Sequence, residues 1–270
     1  RQYLVYAGLD TSIQTGRYLL RGGQSALEIA QILQDATPGE IRFVILPGWR
    51  MEEIAAALPT SGLEIDGEEL LQVVETGGRL ELSQSLPPGS LEGFLLPDQY
   101  VLERQASADD IVETFLSNFS IKVNDEIRAR FAAQGLDLRQ AVTLASIVQR
   151  EAMIEEEQPF IASVFINRLN QGMKLESDPT VQYAIGYEPG TNTWWKNPLT
   201  LADLRLDSVY NTYVYAGIPP GPICNPSLSA LRAVAYPAET PYYFFRAACD
   251  QSGKHVFSVT FEEHLQKGCP

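Results

Sequence analysis

The segment from Leu144 to Glu151, which reads Leu-Ala-Ser-Ile-Val-Gln-Arg-Glu, restricts the fold more than any other part of the chain. Four of its residues recur at the spacing i, i+3, i+4 and i+7, which places them on one face of a helix: Leu144, Ile147, Val148 and Glu151. The first three are apolar, so this face is predicted to pack against the rest of the fold. A carboxylate on such a face is costly unless it is paired or its function requires poor solvation.

Glu151 is therefore the first candidate for a catalytic acid. Poor solvation raises the pKa of a glutamate, which can then hold a proton near neutral pH and donate it. The alternative is a structural glutamate on the helix surface, or one that pairs with an arginine. The adjacent Arg150 is a poor partner, because neighbouring residues point to different sides of a helix.

The length and the charge of the chain limit its class. A chain of 270 residues suggests one large domain or two ordinary ones. With 20 Lys and Arg against 34 Asp and Glu, the formal net charge is −14. This charge argues against nucleic acid as a partner, because phosphate binding requires a clustered positive field. A neutral or zwitterionic polymer such as a glycan remains compatible with it.

Three widely spaced cysteines and two histidines form no motif for a zinc site, so we expect neither a metal nor an organic cofactor. The sequence leaves undecided whether Cys249 and Cys269 form a disulfide. No apolar run approaches the roughly 20 residues of a membrane helix, and no signal peptide is visible. The chain begins at Arg1, inside an expected strand over Tyr3–Tyr6, so we interpret its start as trimmed.

An internal repeat marks the first part of the chain, where residues 18–33 align with residues 43–58. Gly23 aligns with Gly48, and Glu28 aligns with Glu53. Each unit has the pattern of a strand, a glycine turn and an amphipathic helix, which predicts a small α+β module. A plain packing unit is favoured over a carbohydrate-binding module of LysM type, because no aromatic cluster offers a sugar platform.

The breakers Gly77-Gly78 and Pro87-Pro88-Gly89 place a domain boundary within or just after residues 61–90. The remainder predicts an α+β fold rich in helices with a C-terminal hairpin. The predicted helices cover 108–119, 123–134, about 137–151, about 159–171, a segment beginning near 179, and 227–235, and the predicted hairpin strands cover 242–247 and 255–259.

Two polar loops are candidates for substrate contacts. In residues 176–183, several side chains could orient sugar hydroxyls or amides. The alternative is a turn in which Asp178 caps the helix that begins near Pro179, and both interpretations can hold at once. Residues 210–226 form a stiff, proline-rich wall suited to an extended ligand. The pair Trp194-Trp195 either stacks on a sugar face or packs against the core. The acidic run 155–157 is expected to be a solvated helix end without a catalytic role.

These segments in series resemble the MltG/YceG-like family of endolytic murein transglycosylases, and the match covers most of the chain. The motifs that carry the resemblance are Leu91–Tyr100, Leu144–Glu151, Ala162–Leu169, Gly172–Leu175, Ser177–Tyr183, Tyr210–Tyr213, Gly217–Ile223, Pro241–Phe245 and His255–Phe257. The resemblance implies a LysM-like module at 1–88, a catalytic domain at 89–270, a single N-terminal membrane anchor and extracytoplasmic activity on peptidoglycan.

The resemblance also implies residue roles. The catalytic glutamate of the family maps onto Glu151, although this chain departs from the family motif at Gln149 and Ala152. Expected substrate contacts are Asn167, Asp178, Thr180, Gln182, Tyr183, Asn211, Thr212, Tyr213, Pro220 and Asn225. The implied reaction cuts the bond between N-acetylmuramic acid and N-acetylglucosamine and leaves 1,6-anhydro ends, on nascent strands beside peptidoglycan synthases. The alternatives are a non-catalytic glycan-binding scaffold and a two-carboxylate muramidase that uses Asp178.

Overall fold

The computed structural model describes residues 13–15, 18, 20, 22–34, 39–78, 80 and 86–269. The strand predicted over Tyr3–Tyr6 lies outside these described residues, as do Leu19 and Arg21 of the first repeat unit. Within the described part, the protein is a mixed α+β fold in which helices predominate over two small antiparallel sheets.

The N-terminal part contains helix α1 (Ala26–Ile32), strand β1 (Glu40–Val44), helix α2 (Met51–Ala57) and helix α3 (Gly67–Thr76). The strand, turn and helix of the second repeat unit are confirmed by β1 and α2, which flank a turn where Gly48 adopts a φ of +82°. The LysM likeness of this part stays a prediction.

Helix α3 was not expected in the breaker-rich segment 61–90. It forms because Asp66 caps its first turn by accepting a hydrogen bond from the Glu68 backbone, and because Leu70 and Val74 are fully buried. The helix ends at Gly77, which adopts the left-handed conformation that a glycine tolerates. Gly77 and Gly78 therefore mark the end of helix α3 and do not prevent a helix from forming before them.

Strand β2 (Gln99–Glu103) pairs antiparallel with β1, and Phe43 lies opposite Tyr100. Both rings pack against Phe115 in the core, with centroid separations of 6.3 and 4.5 Å. The predicted division after residue 88 thus falls between two strands of one sheet, and this division stays a prediction.

The helical part that positions the candidate site matches the predicted elements. Its helices are α4 (Ala108–Lys122), α5 (Asp125–Ala133), α6 (Leu138–Glu151), α7 (Gln158–Asn170), α8 (Asp178–Ile185) and α9 (Leu228–Ala235). Helix α9 packs against both α6 and α7. Every residue of α6 from Ala141 to Val148 is buried, so α6 is the central helix of this part.

The predicted C-terminal hairpin is confirmed by strands β3 (Phe244–Ala247) and β4 (His255–Ser258), which pair antiparallel. A short helix that the sequence did not predict, α10 (Phe261–Gln266), follows and is capped by Thr260. A disulfide joins Cys249 to Cys269 and ties the hairpin turn to the segment after α10. Among the described residues, no helix is both long and apolar enough to cross a membrane.

Candidate active site

Glu151 is the last residue of α6 and lies in a pocket of about 220 Å³. The three apolar residues of its stripe, Leu144, Ile147 and Val148, are fully buried, as the spacing predicts. The stripe thus leads from the core to the pocket and ends in a half-buried carboxylate. The pocket is lined by Glu151, Arg168, Leu175, Glu176, Asp178, Tyr213, Phe245, Arg246, Ala247 and His255.

The surroundings of Glu151 favour its protonated form. Burial raises the pKa of Glu151 to about 7, and the negative charge of Asp178 acts in the same direction. A hydrogen bond from Ser177 and the positive charges of Arg168 and Arg150 favour the ionised form and limit the rise of the pKa. Glu151 therefore holds a proton for part of the time near neutral pH, as a general acid requires.

Ser177 forms a hydrogen bond with the Glu151 carboxylate and was not among the site residues predicted from the sequence. Its Oγ donates to Glu151 Oε1 at 2.5 Å, while its backbone N–H donates to Thr212 Oγ1 at 2.9 Å. Ser177 carbonyl oxygen accepts from Thr180 Oγ1 at 2.7 Å, and the Thr180 and Thr212 hydroxyls lie 2.9 Å apart. Thr180 and Thr212 are buried, so in this structure they hold Ser177 in place beneath the pocket.

The alternative interpretation, in which Asp178 caps helix α8, is not observed. The N-cap residue is Ser177, whose side chain bonds to Glu151 and makes no cap hydrogen bond. Asp178 is the first residue of the helix, and its Oδ1 accepts a hydrogen bond from the Tyr213 hydroxyl at 2.6 Å. Asp178 and Tyr213 both line the pocket, so the structure brings these two predicted residues together with Glu151.

Asn211 supports Tyr213 from behind. Its Oδ1 accepts from the Tyr213 backbone N–H at 2.9 Å, and its Nδ2 donates to the carbonyl oxygens of Leu204 and Leu206. Because Asn211 is fully buried, it shapes the loop that carries Tyr213.

Arg168 crosses the pocket floor from helix α7. Its Nε donates to the Tyr243 carbonyl at 2.6 Å and its Nη1 donates to the Leu175 carbonyl at 2.7 Å. It also forms an ion pair with Glu176 at 3.6 Å. Arg168 was not among the site residues predicted from the sequence, although an arginine within a largely apolar helix segment was the available signal.

The hairpin forms the facing wall of the pocket and is braced by Glu157. The Glu157 carboxylate accepts from the His255 backbone N–H at 2.9 Å and lies 2.8 Å from His255 Nδ1. The expectation of a solvated run at 155–157 is therefore wrong for Glu157, whose side chain is only 14% exposed. Its hydrogen bonds to the hairpin account for this burial.

The remaining predicted residues lie outside the pocket around Glu151. Asn167 Nδ2 donates to the carbonyls of Thr240 and Tyr242, and Gln182 Nε2 donates to the Lys196 carbonyl. Each side chain thus anchors a neighbouring segment. Their contact with a substrate stays a prediction.

Asn225 joins three separate segments of the core. It is fully buried, and its Oδ1 accepts from the backbone N–H groups of Gly93 and Leu95 at 2.9 and 3.0 Å. Its Nδ2 donates to the Trp49 carbonyl and to the Glu92 carboxylate. Its hydrogen-bonding groups are thereby used inside the protein. Pro220, in the same proline-rich loop, is exposed.

The aromatic residues near the loop pack on arginines. The Arg50 guanidinium lies 4.2 Å from the ring of Tyr183 and 4.5 Å from the ring of Trp194, and Arg150 lies 3.8 Å from the ring of Trp195. The indole N–H of Trp195 donates to Glu53. Trp195 is therefore held against the body of the protein, in agreement with the packing alternative for this tryptophan.

The chain is similar to a known protein family and to several known proteins. The model of the YceG-like family matches residues 1–268. A Bacillus subtilis protein named endolytic murein transglycosylase is 29% identical over 97% of this chain and 74% of its own length. A Streptococcus pneumoniae protein of the same name is 28% identical over 73% of this chain. The match covers 33% of the length of that protein. A solved YceG-like protein from Listeria monocytogenes superposes with a TM-score of 0.73 at 29% identity, over 98% of this chain and 88% of that chain.

Proposed function

Because the chain belongs to the YceG-like family, we propose that it is a lytic transglycosylase of peptidoglycan. The bond cut is the one between N-acetylmuramic acid and N-acetylglucosamine, and the product carries a 1,6-anhydro ring. The proposal rests on the setting of Glu151. Its carboxyl group lies in the pocket at the end of a buried helix, and burial raises the pKa of this group to about 7. The names of the relatives support the same substrate class.

One carboxyl group suffices for this reaction. Protonated Glu151 donates its proton to the glycosidic oxygen as the bond from C1 of the muramoyl sugar breaks, and the N-acetylglucosamine leaves with a free hydroxyl. The Glu151 carboxylate then accepts the proton of the muramoyl C6 hydroxyl, whose oxygen bonds to C1. Glu151 ends protonated, and no water is consumed. A pKa near neutral suits a group that must act first as acid and then as base.

Ser177 and Arg168 assist Glu151 in this scheme. The Ser177 hydroxyl fixes the orientation of the carboxyl group by its bond to Oε1. The positive charge of Arg168 stabilises the carboxylate that exists between the two proton transfers. Both residues act on Glu151 rather than on the substrate.

A two-carboxylate muramidase is the second candidate, because Asp178 lines the same pocket as Glu151. In that enzyme, Asp178 would activate water or attack the sugar. We favour transglycosylation because Asp178 Oδ1 already accepts the Tyr213 hydroxyl. A non-catalytic glycan-binding scaffold is a third alternative.

Product analysis in ¹⁸O-labelled water separates these alternatives. Purified peptidoglycan is incubated with the protein, and the muropeptides are examined by mass spectrometry. We expect anhydro-muropeptides without ¹⁸O. Reducing ends that carry ¹⁸O would establish a muramidase instead. Glycan binding without either product would establish the scaffold.

The same proposal includes cutting within nascent strands, beside peptidoglycan synthases, and activity outside the cytoplasmic membrane. The names of the relatives, which describe endolytic enzymes acting on murein, support the mode of cutting and the compartment. The membrane anchor implied by the family resemblance stays a prediction.

A further inference from the structure

Arg246 has no assigned role, although it lines the same pocket as Glu151. It lies in β3 opposite Val256 of β4, so its backbone is fixed by the hairpin. Its guanidinium Nη1 donates to the His264 carbonyl at 3.2 Å, which orients the group from helix α10. Among the described residues, the Arg246 side chain makes this one hydrogen bond.

Arg246 differs in this respect from Arg168, the other arginine of the pocket. Arg168 is nearly buried and its donors are committed to backbone carbonyls and to Glu176. No carboxylate of the described residues lies within ion-pair distance of Arg246, in a chain with 34 acidic and 20 basic residues. An arginine has five N–H donors, and the hydrogen bond to His264 uses one donor of Nη1 on Arg246.

Arg246 shares the pocket with several acidic residues. Glu151, Asp178 and Glu176 line the same pocket and repel anions. A substrate group that carries a carboxylate therefore needs a fixed cation nearby. Arg246 supplies that cation with a planar guanidinium that matches a carboxylate in a bidentate pair.

The sugar backbone of peptidoglycan consists of uncharged N-acetyl sugars and offers no partner for Arg246. The muramoyl sugar, however, carries a lactyl group at O3, and this group leads into a short peptide stem with free carboxylates. If Glu151 acts at C1 of that sugar, the stem is attached to the same ring as the reacting bond. The stem carboxylates are thus the anions of the substrate nearest the reacting bond.

We propose that Arg246 binds a carboxylate of the peptide stem on the muramoyl sugar at the cleavage site and so selects strands that bear stems. This inference rests on the proposed function. It makes Arg246 a specificity-determining residue that acts in binding, whereas Glu151 acts in the chemical step.

The test compares two substrates made from one preparation: strands with intact stems, and the same strands from which an amidase has removed the stems. The protein is compared with Arg246→Gln, with Arg246→Lys, and with Arg232→Gln as a control at an exposed arginine of α9. Rates of anhydro product formation are measured over a range of substrate concentrations for each pair. Thermal melting verifies that every variant is folded.

We expect Arg246→Gln to raise KM for stem-bearing strands by about tenfold at unchanged kcat, as for loss of one charge-assisted pair. Arg246→Lys should recover part of the loss, because lysine restores the charge without the bidentate geometry. On stripped strands the variant and the parent should have the same KM.

An equal loss on both substrates would overturn the inference and assign Arg246 to the structure of the wall. Unchanged kinetics on both substrates would overturn it as well. The failure of the proposed function looks different, because the parent protein would then yield no anhydro product from stem-bearing strands.

Discussion

Replacing Ser177 with alanine should move the high-pH limb of the activity profile to higher pH. The Ser177 hydroxyl donates to Glu151 Oε1, and this bond lowers the pKa that burial raises. Without the bond, the ionised form of Glu151 loses a partner and its pKa rises further. A general acid works in its protonated form, so activity is high below the pKa and falls above it. A higher pKa therefore extends activity toward alkaline pH.

The size of the shift follows from the strength of one hydrogen bond. A hydrogen bond to a charged group contributes roughly 1.5–3 kcal/mol, and part of this remains when the acceptor is neutral. Since one pKa unit corresponds to about 1.4 kcal/mol, the pKa of Glu151 should rise by about one unit from its value of about 7. The maximal rate should also fall, because the carboxyl group loses a contact that orients it.

The assay is the initial rate of anhydro product formation at low substrate concentration, measured from about pH 5 to about pH 9. Ser163→Ala is the matched control, because the Ser163 hydroxyl bonds to the Phe160 carbonyl and to Thr240 and does not touch Glu151. The control should leave the limb where it is in the parent. A limb that stays in place or moves to lower pH in folded Ser177→Ala would show that the Ser177 hydroxyl does not lower the pKa of Glu151.

Three further predictions concern charge and stability. Asp178→Asn should move the same limb to lower pH, since the Asp178 charge raises the pKa of Glu151, whereas complete loss of activity would favour the muramidase. Asn225→Ala should lower the free energy of unfolding by about 2–4 kcal/mol in denaturant titrations, because it leaves buried backbone groups unpaired; a loss within measurement error would contradict this. Reduction of Cys249–Cys269, which closes a loop with a sequence separation of 20, should lower the free energy of unfolding by about 3 kcal/mol. Hydrogen exchange should then increase in residues 249–269, and unchanged exchange would contradict this prediction.

Periodicity made the central helix and the candidate acid predictable. The apolar spacing that ends at Glu151 fixed both the buried face of α6 and the position of a poorly solvated carboxyl group. Short helices were harder to predict, because α3 and α10 depend on single capping residues, Asp66 and Thr260, in segments whose composition suggests loops.

The partners of the acid were not predictable from sequence spacing. The bond between Ser177 and Glu151 joins residues 26 positions apart, and the bond between Asp178 and Tyr213 joins residues 35 positions apart. A helix cap was one alternative for Asp178, and the structure has the tertiary bond to Tyr213 instead.

Polar residues in the loops were predicted to contact the substrate, yet several satisfy backbone groups instead. Irregular segments leave backbone N–H and C=O groups without partners, and buried side chains such as Asn211 and Asn225 supply those partners. Sequence alone does not distinguish a polar residue that faces a cleft from one that completes a loop, because both occur beside prolines and glycines.

The role of Glu151 as acid and base is tested by the yield of anhydro-muropeptides from Glu151→Gln, measured beside the parent and Glu176→Gln. Glu176 is the matched control, because it is a pocket-lining glutamate that pairs with Arg168. We predict that Glu151→Gln loses the product while remaining folded and that Glu176→Gln retains it. Anhydro product from Glu151→Gln at the parent rate would contradict the assignment of Glu151 as the acid and base of the reaction.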